Sequence, residues 1–218
     1  MQTTHSLLTL GAFALHRIEF DPTTFDNADL LWLPHHLLLS HASLKRKADH
    51  LAGRIAAAHA LQKYAINTVP GIGPSGEPLW PAGIAGSISH SGTQAFALAV
   101  QHDNALVGID CEQLIAEREA VDIQDGIINA QEKSVLMRTG YRFAFALTLA
   151  FSAKESLFKA LFPRVNMYMG FECACVTAIS SSTLALSLTQ PLAGFSHHHP
   201  FTLYWCENNA GVITVLCE

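Results

Sequence analysis

A short segment that reads GIDCE at residues 108–112 places two carboxylates two positions apart. The apolar residues 105–107 precede it, and the combined pattern predicts a β-strand. Side chains at alternate positions of a strand point to the same face, so Asp110 and Glu112 should lie on one face, ~6.6 Å apart along the backbone. The predicted strand therefore presents two carboxylates side by side.

A second segment, FSAKESLFK at residues 151–159, predicts an α-helix. Phe151, Glu155 and Lys159 recur every four residues and therefore stack on one side of that helix. If the helix lies across the strand, three carboxylates and a lysine meet at one point. Hard oxygen ligands in that number suit Mg²⁺, which usually keeps several waters and is completed by substrate phosphates.

Each segment taken singly has a simpler interpretation, because acidic pairs on strands and Lys–Glu pairs on helices most often face solvent. The apolar sequence around both segments argues against that interpretation. Charge in apolar surroundings is costly unless it is paired or binds a metal. The two segments together therefore favour a metal site whose ligands are Asp110, Glu112 and Glu155.

The two segments together resemble the signature of the 4′-phosphopantetheinyl transferases of the large, Sfp-like class, G-I-D-x-E followed by F-S-x-K-E-S-x-x-K. Two further segments extend the resemblance. SISHSG at residues 87–92 is similar to the family's N-I-S-H-S segment, and residues 45–54 are similar to its basic N-terminal helix. The match is especially close to the branch that serves enterobactin-type siderophore synthesis. Four motifs in a fixed order are specific, whereas any one of them alone would not be.

The resemblance implies a Mg²⁺-dependent enzyme that transfers the 4′-phosphopantetheine arm of coenzyme A to a serine of an apo carrier protein and releases 3′,5′-ADP. Mg²⁺ on Asp110, Glu112 and Glu155 would bridge the pyrophosphate oxygens and act as a Lewis acid. Glu155, directly or through a metal-bound water, would accept the proton of the attacking serine. Lys159 would stabilise the charge on the phosphate.

The same resemblance implies six residues that contact coenzyme A, namely Arg46, Arg54, Ser89, His90, Lys154 and Lys159. Within this set, His90 and Ser89 would hold the 3′-phosphate. Lys154 faces a different side of its helix and could instead form a local pair.

Composition excludes several other classes of protein. Half of the 218 residues are hydrophobic and 14% are charged, which is typical of a globular protein rather than a disordered one. The net charge of −5 argues against a general nucleic-acid binder. No apolar run in the sequence approaches the length of a membrane span, so no transmembrane segment is expected.

Five cysteines, an odd number without a C-x-x-C pair, predict free thiols in a reducing cytosol. The apolar start of the chain lacks a basic region, which argues against a signal peptide. A cytoplasmic location is therefore expected. The resemblance further implies that the protein is a monomer and that its partners are apo aryl, peptidyl or acyl carrier domains.

Helix and strand patterns place these motifs on regular elements. The spacing of apolar residues predicts two long helices, at residues 43–65 and 143–162. The second of them is almost wholly apolar. Asn129 and Glu132 fit a capping box that opens a helix through Met137. The predicted strands are residues 84–89, 94–100, 105–111, 171–179, 183–189, 201–206 and 211–217.

Each half of the chain thus shows one long helix followed by strands, which predicts the α+β class. The family resemblance implies two similar α+β halves related by a pseudo-twofold axis, with the active site at their interface. The expected domains are residues 1–103, with the basic helix and the SISHSG segment, and residues 104–218, with both acidic motifs.

Two alternative functions remain open at the level of sequence. The acidic residues alone would permit a Mg²⁺-dependent carrier-protein phosphodiesterase or another nucleotide hydrolase. The second alternative is a non-catalytic carrier-binding homologue, which the presence of all three acidic ligands and Lys159 disfavours.

Overall fold

Two units, Met1–Ala105 (unit 1) and Leu106–Glu218 (unit 2), make up the chain. The structure is a computed structural model that describes residues 1–209 and 211–218. Both units combine helices with an antiparallel sheet, and each has its own hydrophobic core, which confirms the predicted α+β class. Within the described residues, no helix combines the length and the apolar character that crossing a membrane requires.

Unit 1 is built on a four-stranded antiparallel sheet in the order β1-β2-β6-β5. The strands are β1 Gln2–Leu10, β2 Phe13–Asp21, β5 Ala85–Ser91 and β6 Gln94–Val100, and a separate two-stranded ribbon consists of β3 Gly71–Ile72 and β4 Pro78–Leu79. Three 3₁₀ helices connect β2 to helix α1 (Leu44–Gln62), and these are Pro22–Thr24, Asn27–Trp32 and His36–Leu39.

The hairpin of β1 and β2 was not predicted from the sequence. Most side chains of β1 are exposed, so the strand lacks the alternation of apolar and polar residues that identifies a half-buried strand. The available signal is Gly11, which has φ +59° in the turn and separates a run rich in threonine and leucine from a run rich in aliphatic and aromatic residues.

Helix α1 begins at the N-cap Ser43, whose side chain accepts a hydrogen bond from the backbone N–H of Arg46. Its alanines face the sheet and form part of the core of unit 1. A Cβ at Gly53 would lie 2.9 Å from Cγ2 of Ile88, so the glycine allows α1 to approach β5 closely. This packing places the basic helix beside the strand that carries His90.

Unit 2 contains a five-stranded antiparallel sheet in the order β7-β11-β10-β9-β8. The strands are β7 Val107–Gln113, β8 Ala174–Ile179, β9 Thr183–Leu188, β10 Pro200–Asn208 and β11 Gly211–Cys217. The helices are α2 Glu117–Ile123, α3 Ala130–Met137 and α4 Phe143–Val165, with 3₁₀ helices at Gln124–Gly126 and Phe171–Cys173. The predicted strands, long helices and capping box are confirmed, with ends that differ by up to three residues.

Helix α4 packs tightly against β7 and its neighbour β11. A Cβ at Gly108 would overlap the carbonyl oxygen of Ser156, so only glycine permits this approach. The Ser156 hydroxyl donates to the Thr214 carbonyl oxygen at 3.0 Å, and the Ser152 and Ser156 hydroxyls lie 3.0 and 2.7 Å from the Thr214 hydroxyl. Because Thr214 is paired with Asp110 across the sheet, these contacts fix α4 beside the acidic strand.

Candidate active site

The acidic strand and the apolar helix meet at Asp110. This side chain is 2% exposed, and the Lys159 ammonium donates to its Oδ1 at 2.6 Å. The same ammonium donates to the Ile109 carbonyl oxygen at 3.2 Å. A buried carboxylate is costly unless it is paired, and this charge-assisted hydrogen bond supplies the pairing.

The ionisation of Glu112 and of Glu155 depends on the nearby charges of Asp110 and Lys159. Burial raises the pKa of Glu112 to about 7, with additional contributions from the charges of Asp110 and Glu155, while Lys159 opposes the shift. Burial also raises the pKa of Glu155, Lys159 opposes this shift, and Asp110 adds to it. Negative charge is therefore concentrated at one place on β7 and α4, where a further cation would be stabilising.

The donor set of this cluster fits Mg²⁺, because carboxylate oxygens are the ligands that this ion prefers. Among the described residues, however, no group of three or more histidine, cysteine, aspartate or glutamate side chains is arranged to hold a metal ion. Lys159 supplies the positive charge next to Asp110 in this structure.

Cys111 lies between the two acidic residues of β7 but points into the core, as the alternation of the strand predicts. Burial, followed by the charges of Asp110 and Glu112, raises the pKa of its thiol to about 12. The thiol is therefore protonated at neutral pH, and it is neither a nucleophile nor a metal ligand.

Lys154 is placed apart from this cluster, although it precedes Glu155 directly. Its side chain is 3% exposed and forms an ion pair with Glu132, in which Nζ and Oε1 are 2.7 Å apart. The local pair that the sequence left open is therefore present in the structure.

A second cluster of charged groups lies in unit 1 and contains Arg46, Arg54 and His50. Arg54 is buried, and its Nη2 donates to the Gly71 carbonyl oxygen at 2.8 Å, whereas its Nε has no hydrogen-bond partner among the described residues. Burial, aided by the charge of Arg46, lowers the pKa of Arg54 to about 10. A buried guanidinium with an unused donor is suited to binding an anion.

The histidines next to Arg54 are kept neutral by burial and by the positive charge around them. Burial lowers the pKa of His50 to about 3, with smaller contributions from Arg54, His35, Arg46 and His90. The Nε2 atoms of His35 and His50 are 3.0 Å apart. Burial also lowers the pKa of His35. Both rings are therefore neutral at pH 7, and the Nε2–H of one donates to Nε2 of the other.

His90 lies at the end of β5, one residue after the buried Ser89. Its Nδ1 is 3.9 Å from Oδ2 of Asp49, and the same oxygen accepts from Lys45 at 2.5 Å. Asp49 is thus bonded to Lys45 and lies near the His90 ring. Sequence reasoning missed Asp49, although its position four residues after Lys45 on a helix is a signal for such a pair.

Models of two protein families match the chain. The model of the 4′-phosphopantetheinyl transferase N-terminal domain matches residues 34–100, and that of the 4′-phosphopantetheinyl transferase superfamily matches residues 106–212. The chain belongs to the 4′-phosphopantetheinyl transferase superfamily. The family predicted from the acidic motifs is therefore confirmed, and with it the prediction of a phosphopantetheinyl transferase.

Individual relatives agree with this assignment. The enterobactin synthase component D of Salmonella typhi is 40% identical over 216 residues, which cover 99% of this chain and 91% of the relative. The protein of the same name from Escherichia coli (strain K12) is 49% identical over 160 residues, or 73% of this chain and 76% of the relative. The 4′-phosphopantetheinyl transferase Npt of Nocardia iowensis is 31% identical over 166 residues, which cover 72% and 73% of the two chains.

The raised pKa of Glu112 predicts a specific dependence of stability on pH. The pKa is about 7 in the folded transferase against an ordinary value of 4.5, so between these values the folded state binds more protons than the unfolded state. The contribution of Glu112 to the free energy of unfolding should be complete below about 4.5 and should be lost as the pH rises through about 7.

Urea unfolding in EDTA at pH values from about 5 to 8 measures this contribution as the difference between the wild type and Glu112→Gln. The variant should gain stability relative to the wild type as the pH rises. The exposed Glu119→Gln serves as the control and should follow the wild type at every pH. A Glu112→Gln curve parallel to the wild-type curve would contradict the assigned shift.

Proposed function

We propose that this protein transfers the 4′-phosphopantetheine arm of coenzyme A to a serine of an apo carrier protein in a Mg²⁺-dependent reaction. The observation that supports this most is the contact of Lys159 with Asp110 inside a cluster of mutually repelling carboxylates on β7 and α4. Such a cluster combines the hard oxygen donors and the cationic donor that phosphoryl transfer requires.

Asp110, Glu112 and Glu155 would hold the Mg²⁺ ion. When bound, the ion supplies Lewis acidity and neutralises charge on the pyrophosphate. Asp110 is fixed by its burial and by the ammonium of Lys159, so it provides the rigid ligand. Glu112 and Glu155 are only partly buried and can adjust their side chains.

Glu155 is the residue best suited to accept the proton of the attacking serine. Its pKa is raised by burial, and a base whose pKa lies closer to the working pH accepts a proton more effectively. Lys159 lies one helical turn further along α4 and would donate to a non-bridging oxygen of the phosphate. Each residue thereby acts on charge that develops during the reaction.

The positive cluster of unit 1 would bind the 3′-phosphate of coenzyme A. Arg54 offers the unused Nε donor, Arg46 is exposed on the first turn of α1, and His90 lies near Asp49 on the adjacent strand β5. Ser89 is buried beside His90 and completes the proposed set. Burial lowers the pKa of Arg54 and His50, and repulsion from neighbouring cations adds to both shifts; a phosphate would relieve that repulsion.

The similarity to enterobactin synthase component D supports a proposal for the carrier. We propose aryl or peptidyl carrier domains of enterobactin-type siderophore synthesis as the substrates, and a monomeric enzyme in the cytoplasm. The free state of all five cysteines is consistent with a reducing compartment.

Transfer can be tested by intact-mass measurement of an apo carrier incubated with coenzyme A and Mg²⁺. The wild type should add one phosphopantetheine arm per carrier. Asp110→Asn and Glu155→Gln should lower the rate by on the order of a hundredfold or more, because each removes several kcal/mol of charge stabilisation. The exposed Glu119→Gln should react at the wild-type rate.

Two results of this assay would contradict the proposal. Transfer at the wild-type rate by either variant would remove that residue from the reaction. A folded wild type that binds coenzyme A and leaves every apo carrier unchanged, or that removes the arm from a holo carrier, would favour the phosphodiesterase or binding-module alternatives.

The assignment of the 3′-phosphate is tested by a cycle of two proteins and two ligands, measured by calorimetry. His90→Ala should lower the affinity for coenzyme A by about ten- to a hundredfold, because a charge-assisted hydrogen bond is lost. The same variant should bind dephospho-coenzyme A nearly as well as the wild type does, since the contact is already absent. The exposed His102→Ala is the matched control. An equal effect of His90→Ala on both ligands would show that His90 does not contact the 3′-phosphate.

A further inference from the structure

A buried polar network surrounds Lys154, which precedes Glu155 on α4. The Lys154 ammonium lies 2.7 Å from Oε1 of Glu132 and donates to the carbonyl oxygens of Ile127 at 2.7 Å and Phe171 at 3.0 Å. An ammonium has three donors, and each of them has an acceptor within unit 2. Lys154 could therefore bind a ligand only by giving up one of these contacts.

Glu132 is equally well satisfied. Its Oε1 also accepts from the backbone N–H of Val176 on β8 at 2.8 Å. Its Oε2 accepts from the backbone N–H of Asn129 at 2.9 Å and so closes the capping box of α3. The side chain is 2% exposed. The ion pair therefore joins α4 to α3, to β8, to Ile127 directly after one 3₁₀ helix and to Phe171 at the start of the other.

These contacts matter because the apolar composition of α4 alone would leave the rotation and register of the helix poorly defined. The helix is apolar on most sides, and apolar contacts are non-directional, so they define its rotation and register poorly. Hydrogen bonds are directional and do define them. Ser152 and Ser156 anchor α4 to Thr214, and Lys154 anchors it to Glu132.

We propose that Lys154 and Glu132 are positioning residues, which fix the rotation and register of α4 so that Glu155 and Lys159 are presented to Asp110. Lys154 then makes no contact with coenzyme A. This inference rests on the proposed function for its effect on the reaction, whereas the pairing itself can be measured without any transfer assay.

The energetics of a buried ion pair provide a distinguishing test. Removing one partner leaves an uncompensated buried charge and is strongly destabilising, whereas replacing both partners by neutral groups is often tolerated. Lys154→Met leaves the Glu132 carboxylate buried without its counter-charge. The double variant Lys154→Met/Glu132→Gln removes both charges and keeps one amide oxygen, which can accept from the backbone N–H of either Asn129 or Val176.

The experiment compares Lys154→Met, Glu132→Gln and the double variant with the wild type. Thermal unfolding, calorimetry with coenzyme A, and kcat and KM for carrier modification are measured for each protein. The exposed Arg138→Met is the matched control, because it removes a cation from the end of α3 without touching the network.

Each single variant should lower the melting temperature by roughly 5–15 °C. The kcat should fall by about ten- to a hundredfold because the reacting groups are displaced. The Kd and KM for coenzyme A should stay within about threefold of the wild type, since no ligand contact is lost. The double variant should recover part of both the melting temperature and kcat that Lys154→Met loses.

A ligand role for Lys154 gives a different pattern. Lys154→Met would then lose affinity for coenzyme A by about tenfold or more. The double variant would be no better, and this result would overturn the inference. If Lys154→Met does not fold, a folded double variant with near-normal affinity for coenzyme A supports the pairing, whereas a double variant that does not fold overturns it. A wild type without transfer activity would overturn the proposed function alone, because melting temperatures and affinities still test the pair.

Discussion

The close approach of α4 to β7 and β11 is the constraint on which the proposed chemistry depends. Gly108 leaves room for the Ser156 carbonyl group, and the serine hydroxyls of α4 bond Thr214 on the strand next to β7. Asp110 faces Thr214 in the sheet register, so the same contacts that hold the helix also hold the acidic strand. Any side chain larger than hydrogen at position 108 would separate the helix from the strand and move Lys159 away from Asp110.

Both units concentrate charge of one sign in a small volume, and each cluster would be stabilised by a ligand of the opposite sign. In unit 2, burial raises the pKa of both Glu112 and Glu155 and the charge of Asp110 adds to each shift, so ionising all three carboxylates is unfavourable without a cation. In unit 1, burial lowers the pKa of both Arg54 and His50, Arg46 adds to each shift, and Arg54 adds to that of His50. Such arrangements weaken an isolated fold and are therefore more often found at binding sites than at structural positions. Mg²⁺ and phosphate are the ligands that the donor chemistry of the two clusters suits.

The sequence predicted those parts of the structure whose causes are local. The capping box at Asn129 and the strand and helix that carry the acidic motifs follow from period and propensity, and the structure confirms them. Other features depend on contacts between residues distant in sequence. The burial of Lys154 requires Glu132, Ile127 and Phe171 to converge on one ammonium, and no local pattern reveals this. The first hairpin was missed because an exposed edge strand does not need an alternating pattern.

Calorimetric titration of Mg²⁺ into the protein saturated with coenzyme A tests the central claim most directly. The wild type should bind one ion per chain, and Glu155→Gln should weaken that binding by about tenfold or more while the protein still binds coenzyme A, because one carboxylate ligand is lost. Saturable binding that is unchanged in Glu155→Gln, or no saturable binding by a wild type that carries coenzyme A, would contradict a magnesium site formed by β7 and α4.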